Sequence, residues 1–131
     1  MSLGDGISAH GLPLHAHLDK VPPGWHPGAE AKYPYRKFRK DFLVWVQTTS
    51  LEKHRIGPAL VLRMADTPKE IGQALMEEPS NRVAGGNQLQ HGYIHTDPLT
   101  GATTEEEGYM IYIRALDARY GRLTQERLLL I

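Results

Sequence analysis

Three stretches of the chain hold side chains whose types and spacing could do chemistry. The first is the string HAHLD at residues 15–19, whose alternate ligands resemble the start of an H-x-H-x-D metal motif. That motif continues with a second histidine after the aspartate, whereas this chain has Lys20. We therefore do not predict a metal site from this short match.

The other two stretches are a histidine pair and an acidic run. His91 and His95 have the spacing of two ligands on one helical face, but Gly92 and the Asp-Pro pair at 97–98 predict a loop. Residues 104–107 (TEEE) are predicted to form a helix-capping box, which would account for the acids without a cation. Phosphate-binding glycine loops, nucleophile elbows and H-E-x-x-H are absent from the sequence. We predict no catalytic residue, no metal, no cofactor, no small-molecule substrate and no enzymatic activity.

Length and composition limit the remaining function classes. At 131 residues the chain is long enough for one domain with one core. Its 15 basic and 15 acidic residues cancel, so binding to nucleic acid would require a local patch. The absence of cysteine excludes disulfides, thiol catalysis and cysteine-based zinc sites. No signal peptide or apolar run of about 20 residues is present, so we predict a cytoplasmic protein without a membrane partner.

The elements that must position any site are predicted to be helices. Apolar residues return at helical spacing after Pro34, so a first helix should run from Tyr35 to about Thr49. Its core-facing arc consists of Phe38, Phe42, Trp45 and Thr49, widened by Leu43 and Val46.

The same helix carries a basic cluster away from this arc. A solvated helix face is the commoner meaning of such a cluster, and contact with nucleic-acid phosphates is the alternative. The residues of this possible nucleic-acid contact are Arg36, Lys37, Arg39 and Lys40.

Three further helices follow in the predicted fold. Ser50 should cap the second, which the Gly-Pro pair at 57–58 kinks, and Thr67 should cap the third. Residues 80–103 are predicted to be a long loop. The fourth helix should start at the capping box and end at Gly121, with a buried face formed by Tyr109, Ile113, Leu116 and Tyr120.

The predicted fold class is therefore all-α, a small bundle of about four helices with two appended segments. Residues 1–32 are predicted to be an extended arm rich in Gly, Pro and His, residues 33–121 to be the helical domain, and residues 122–131 to be an apolar tail. On the arm, Trp25 is predicted to pack on the domain, with contact to a ligand or partner as the alternative. The residues of a possible interaction surface are Trp25, Leu128, Leu129, Leu130 and Ile131.

Four segments carry a resemblance to a known family. They are PPGWHPGAEAKYPYRKFRKDFLVW, GPALVLRMADTPKEI, QLQHGYIHTDPLTG and ALDARYG, in this order. Together they resemble, over residues 21–121, the N-terminal Gag-like region of copia-type retrotransposon polyproteins. In that family an all-helical capsid-type region precedes a zinc knuckle, which this cysteine-free chain has no residues to form.

The resemblance implies a non-enzymatic structural or assembly protein. Its partner would be a second copy of itself or a larger complex, with RNA as a further partner of the basic helix face. The alternative is a small helical accessory or binding module, for which the arm and residues 80–103 would supply the contacts.

Overall fold

The computed structural model describes the backbone of residues 19–130 and the side chains of residues 19–121. Helices dominate it, and a small antiparallel hairpin departs from the predicted all-α class. The helices are a short 3-10 turn (Pro27–Ala29), α1 (Tyr35–Thr48), α2 (Lys53–Val61), α3 (Thr67–Leu75), α4 (Gln88–His91) and α5 (Gly108–Leu130), and the strands are β1 (Tyr93–Thr96) and β2 (Thr103–Glu106). Among these described helices, none combines the length and the apolar character that crossing a membrane requires.

Helix α1 supplies the centre of the core, as its periodicity predicts. Phe38 and Phe42 are fully buried and Trp45 is nearly so. Their rings follow one another along the helix with centroids about 6 Å apart, at 6.2 Å and 5.9 Å. Leu43, which was predicted to widen the buried arc, is exposed instead. The buried stripe of α1 is therefore aromatic and narrow.

Helix α5 packs across this stripe through the predicted face, in which Ile113, Leu116 and Tyr120 are buried and Tyr109 is half-buried. The predicted start of the helix is wrong, because residues 103–106 pair with β1 and the helix begins at Gly108. A Cβ atom at Gly108 would lie 1.9 Å from the carbonyl oxygen of Leu89, so glycine permits close contact with α4 at that point.

The predicted end of α5 at Gly121 is also wrong, because the helix continues to Leu130. A glycine inside a helix costs only about 1 kcal/mol relative to alanine, which flanking helical turns can offset. The helix thus crosses the boundary drawn between the domain and the tail at residue 122.

Helices α2 and α3 begin differently from the prediction. Helix α2 begins at Lys53 with Glu52 at the cap position, so Ser50 does not cap it. The backbone N of Ser50 instead donates a hydrogen bond to the carboxylate of Asp19 at 3.2 Å, as does its hydroxyl. Pro58 lies inside α2 without ending it, since the helix is fixed by its buried residues on both sides, Ile56 and Leu60. Asp66, at φ 61°, precedes α3, and Thr67 is its first residue rather than its cap.

Trp25 packs on the domain, as predicted. Its indole ring meets Tyr35 and Tyr120 edge-on at centroid distances of 5.1 Å and 5.0 Å. The indole Nε1 donates a hydrogen bond to the carbonyl oxygen of Tyr33 at 2.8 Å. With only 2 % of the residue exposed, Trp25 is part of the core, and its assignment to an interaction surface is wrong.

Residues 80–103 are not the predicted long loop. They contain α4, whose N-terminus is capped by the Asn87 side chain, and β1, which follows Gly92 at φ 72°. The turn between the strands is held by Asp97, whose carboxylate accepts a hydrogen bond from the backbone N of Leu99 at 2.8 Å. Short-range turn chemistry therefore organises a segment that has no apolar periodicity.

Candidate functional site

The outer face of α1 is the candidate binding surface. Arg36, Lys37 and Lys40 are exposed on the helix, and no carboxylate of the described side chains forms an ion pair with any of them. Their charges are therefore available to an anionic partner. We call these three residues the cationic face.

Arg39 does not belong to the cationic face, although the sequence placed it there. Its Nε donates a hydrogen bond to Oδ1 of Asp117 on α5 at 3.0 Å, and the Tyr35 hydroxyl donates to the same oxygen at 2.6 Å. Burial, together with the neighbouring Asp117 carboxylate, raises the pKa of Tyr35 above its usual range. Arg39 is thus a structural cation that joins α1 to α5, and the basic cluster has three available charges rather than four.

Two apolar side chains continue the exposed face of α1 toward its C-terminus. Val44 is 61 % exposed and Leu43 is 42 % exposed. At 100° per residue, Val44 lies on the same side of the helix as Lys37 and Lys40. The outer face is therefore basic in its first half and partly apolar in its second.

The histidines of the sequence motif lie apart. His91 stacks on His54, with ring centroids 6.1 Å apart and planes at 9°, beside an open groove that Arg82 and Glu107 also line. His95 instead contacts Oε1 of Glu106 through Nε2 at 3.0 Å. In residues 19–121, no three His, Asp or Glu side chains converge as ligands of a metal ion would.

The acidic run at 105–107 forms ion pairs, and its predicted role as a helix cap is wrong. Glu106 accepts hydrogen bonds from Arg114 at 2.8 Å and 2.9 Å, while Arg82 lies 3.5 Å from both Glu105 and Glu107. The hydrogen bonds from Arg114 are the main reason that the pKa of Glu106 is lowered in the fold. The run therefore ties β2 to the rest of the domain.

This arrangement predicts a pH-dependent contribution of Glu106 to stability. Because its folded pKa is lower than that of the unfolded chain, the contribution is complete above the unfolded pKa and is lost as pH falls through the folded value. At pH about 7, we expect the free energy of unfolding to be larger for wild type than for Glu106→Gln. This difference between the two proteins should disappear below pH about 4. Urea denaturation followed by circular dichroism at several pH values measures this gap.

Glu77→Gln is the matched control for this experiment. Glu77 is exposed, and its carboxylate makes no ion pair with the described side chains. A gap that stays constant across the pH range, or an equal gap for the Glu77 variant, would contradict the role given to Glu106.

Several residues of the sequence motifs fall outside the described part of the chain. Residues 15–18 of the HAHLD string belong to this group, and Asp19 binds Ser50 as noted above. The interaction surface predicted at Leu128, Leu129, Leu130 and Ile131 concerns side chains outside the described residues, although the helical backbone reaches Leu130.

Sequence reasoning missed two polar residues that organise the surface. Asp117 lies 82 positions from Tyr35 in the chain, and Asn81 lies 13 positions from Ile94, whose backbone it binds at 2.7 Å and 2.8 Å. Neither partnership has a periodic or motif signal in the sequence. Only the approach of distant elements creates them.

Comparison with known proteins returns no matching family model, no matching curated protein and no matching solved structure.

Proposed function

We propose that this chain is a non-enzymatic, Gag-like structural protein that associates with copies of itself and contacts RNA through the cationic face of α1. One observation supports the proposed RNA contact. The side chains of Arg36, Lys37 and Lys40 are exposed and make no ion pair with the described side chains. The self-association rests on the resemblance of residues 21–121 to the Gag-like region of copia-type polyproteins.

The physical basis for the proposed RNA contact is that the positive charges lie on α1, a helix that is fixed to the core. The inner side of α1 is fixed by Phe38 and Phe42 in the core, so the backbone beneath the cations does not have to become ordered when RNA binds. Cations that neutralise phosphates release condensed counterions, which makes such binding sensitive to salt but not to sequence. The proposed contact is therefore weak, electrostatic and without base specificity.

The cationic face gives the first test of this function. Replacing Arg36, Lys37 and Lys40 together by Gln should weaken binding to single-stranded RNA at low salt. The slope of log Kobs against log salt concentration is negative, and the loss of three phosphate contacts should reduce its magnitude by about 2. Fluorescence anisotropy with a labelled oligonucleotide, repeated across a salt series, measures both quantities.

A variant with the same change in net charge serves as the control. Lys53, Arg55 and Lys69 lie outside α1, and replacing all three by Gln should leave most of the affinity in place. If wild type shows no affinity for RNA at low salt, or if the two triple variants lose affinity equally, the cationic face is a solvated helix surface and the RNA contact is refuted.

A further inference from the structure

Along the outer edge of β2, several backbone groups have no hydrogen-bond partner among the described residues. Hydrogen-bonded positions alternate along an antiparallel pair, and the backbone N of Asp97 donates to the carbonyl of Ala102 at 2.8 Å. The backbone groups of Ala102 therefore face β1, and so do those of the alternate residues Thr104 and Glu106. The N–H and C=O groups of Thr103 and Glu105 point away from β1. Among the described residues, none hydrogen-bonds to these four groups.

The opposite edge of the hairpin is occupied at Ile94. The side-chain amide of Asn81 donates to the carbonyl of Ile94 at 2.8 Å and accepts from its N–H at 2.7 Å, in the manner of a neighbouring strand. On β2, by contrast, Thr103, Thr104 and Glu105 are all exposed. The β2 edge is therefore the side of the hairpin on which another strand can be added.

The charges along β2 favour a second copy of this chain over a basic peptide. Glu105 is paired with Arg82 at 3.5 Å and Glu106 with Arg114 at 2.8 Å. Arg114 offsets the charge of Glu106. Arg82 offsets only part of the charge of Glu105, because Glu107 shares it, and together the pairs weaken the attraction of β2 for a basic strand. For the same reason, these carboxylates repel an identical strand less strongly.

We propose that β2 pairs with β2 of a second copy, antiparallel about a two-fold axis at Thr104. This inference rests on the self-association proposed above and names the surface that mediates it. In this register Thr103 lies opposite Glu105 of the second copy, and each such pair exchanges two backbone hydrogen bonds. Thr104 lies opposite its own counterpart, a pairing that favours sheets.

Other registers of the same pairing are poorer. A shift by one residue places outward-directed backbone groups opposite inward-directed ones, so the ladder cannot form. Moving the axis to Glu105 sets two glutamates directly opposite each other. Moving it to Thr103 draws Gly101, at φ 74° in the turn, into the ladder. The register centred on Thr104 avoids all three faults.

The pairing is expected to be weak. A strand of four residues provides far less contact than the roughly 1,000 Å² found in specific stable interfaces. Dimers should therefore form only at high protein concentration. Contacts of this kind contribute to an assembly when many copies are held close together.

Thr103→Pro and Thr103→Ala form a matched pair of variants that tests the proposal. Proline removes the outward N–H without removing a hydrogen bond of the hairpin, whereas alanine keeps that N–H. Sedimentation velocity across a concentration series should show concentration-dependent dimers for wild type and Thr103→Ala, and loss of these dimers for Thr103→Pro.

Amide hydrogen exchange gives a second measurement that needs no variant. As wild-type concentration rises, exchange should slow at Thr103 and Glu105 but not at Thr96, whose N–H faces away from β2. Dimers that persist in folded Thr103→Pro, or unchanged exchange at Thr103 and Glu105 in dimeric wild type, would overturn the edge pairing and leave self-association standing. A wild type that stays monomeric at every concentration would refute self-association itself.

Discussion

Replacing Phe42 by Ala is expected to lower the free energy of unfolding by about 3–5 kcal/mol. Phe42 is fully buried at the middle of the aromatic stripe, and its ring centroid lies 5.9 Å from Trp45 and 6.2 Å from Tyr109 on α5. Because small domains have a total stability of about 5–15 kcal/mol, the variant should lose a large part of it. Urea denaturation followed by circular dichroism measures the change.

Val44→Ala is the matched control on the same helix. Val44 is exposed, and substitutions at exposed sites usually change stability by less than about 0.5 kcal/mol. If Phe42→Ala unfolds at the same urea concentration as wild type, or if Val44→Ala loses as much stability as Phe42→Ala, the inner and outer faces of α1 have been assigned wrongly.

Replacing Trp25 by Ala is expected to cost a similar amount, about 3–5 kcal/mol. The substitution removes a buried ring that contacts both α1, through Tyr35, and α5, through Tyr120. It also leaves the carbonyl oxygen of Tyr33 without the indole donor. Thermal unfolding monitored by circular dichroism should show a lower Tm.

Val21→Ala is the control for Trp25, because Val21 lies in the same segment but is exposed. Its Tm should stay close to that of wild type. A Trp25→Ala protein that keeps its Tm while losing association with a partner would return Trp25 to an interaction surface, contrary to the packing in the structure.

The two faces of α1 have separate tasks in the proposed function. Phe42 and its neighbours hold the helix to the core, while Arg36, Lys37 and Lys40 face outward. Substitutions of the cations should therefore change RNA affinity with little effect on stability. Substitutions of the aromatic residues should do the reverse.

Local patterns account for the parts of the fold that were predicted well. The bounds of α1 and the buried positions Phe38 and Phe42 follow from helical periodicity beside Pro34. The buried face of α5, from Ile113 to Tyr120, follows from the same rule. In both helices a residue's environment depends on its spacing from close neighbours in the chain, which the sequence displays directly.

The hairpin is the part of the fold that local patterns misjudged. Residues 104–107 match a helix-capping box, but three of these four residues lie in β2. Pairing with β1 satisfies the backbone groups of Thr104 and Glu106. Ion pairs with Arg82 and Arg114 hold the acidic side chains on the strand. Tertiary contacts therefore overrode a favourable local signal.

The candidate site also has a part that local spacing predicts and a part that only tertiary contacts determine. The sequence by itself determined that Arg36, Lys37 and Lys40 lie on the outer side of a helix, because the buried stripe of α1 fixes their direction. Only the tertiary structure decided that Arg39 is bound to Asp117, which lies 78 residues away. It also decided that no described residue hydrogen-bonds to the outer edge of β2. Ion pairs and free strand edges depend on which elements distant in the chain come into contact. The spacing of residues within one helix does not indicate those contacts.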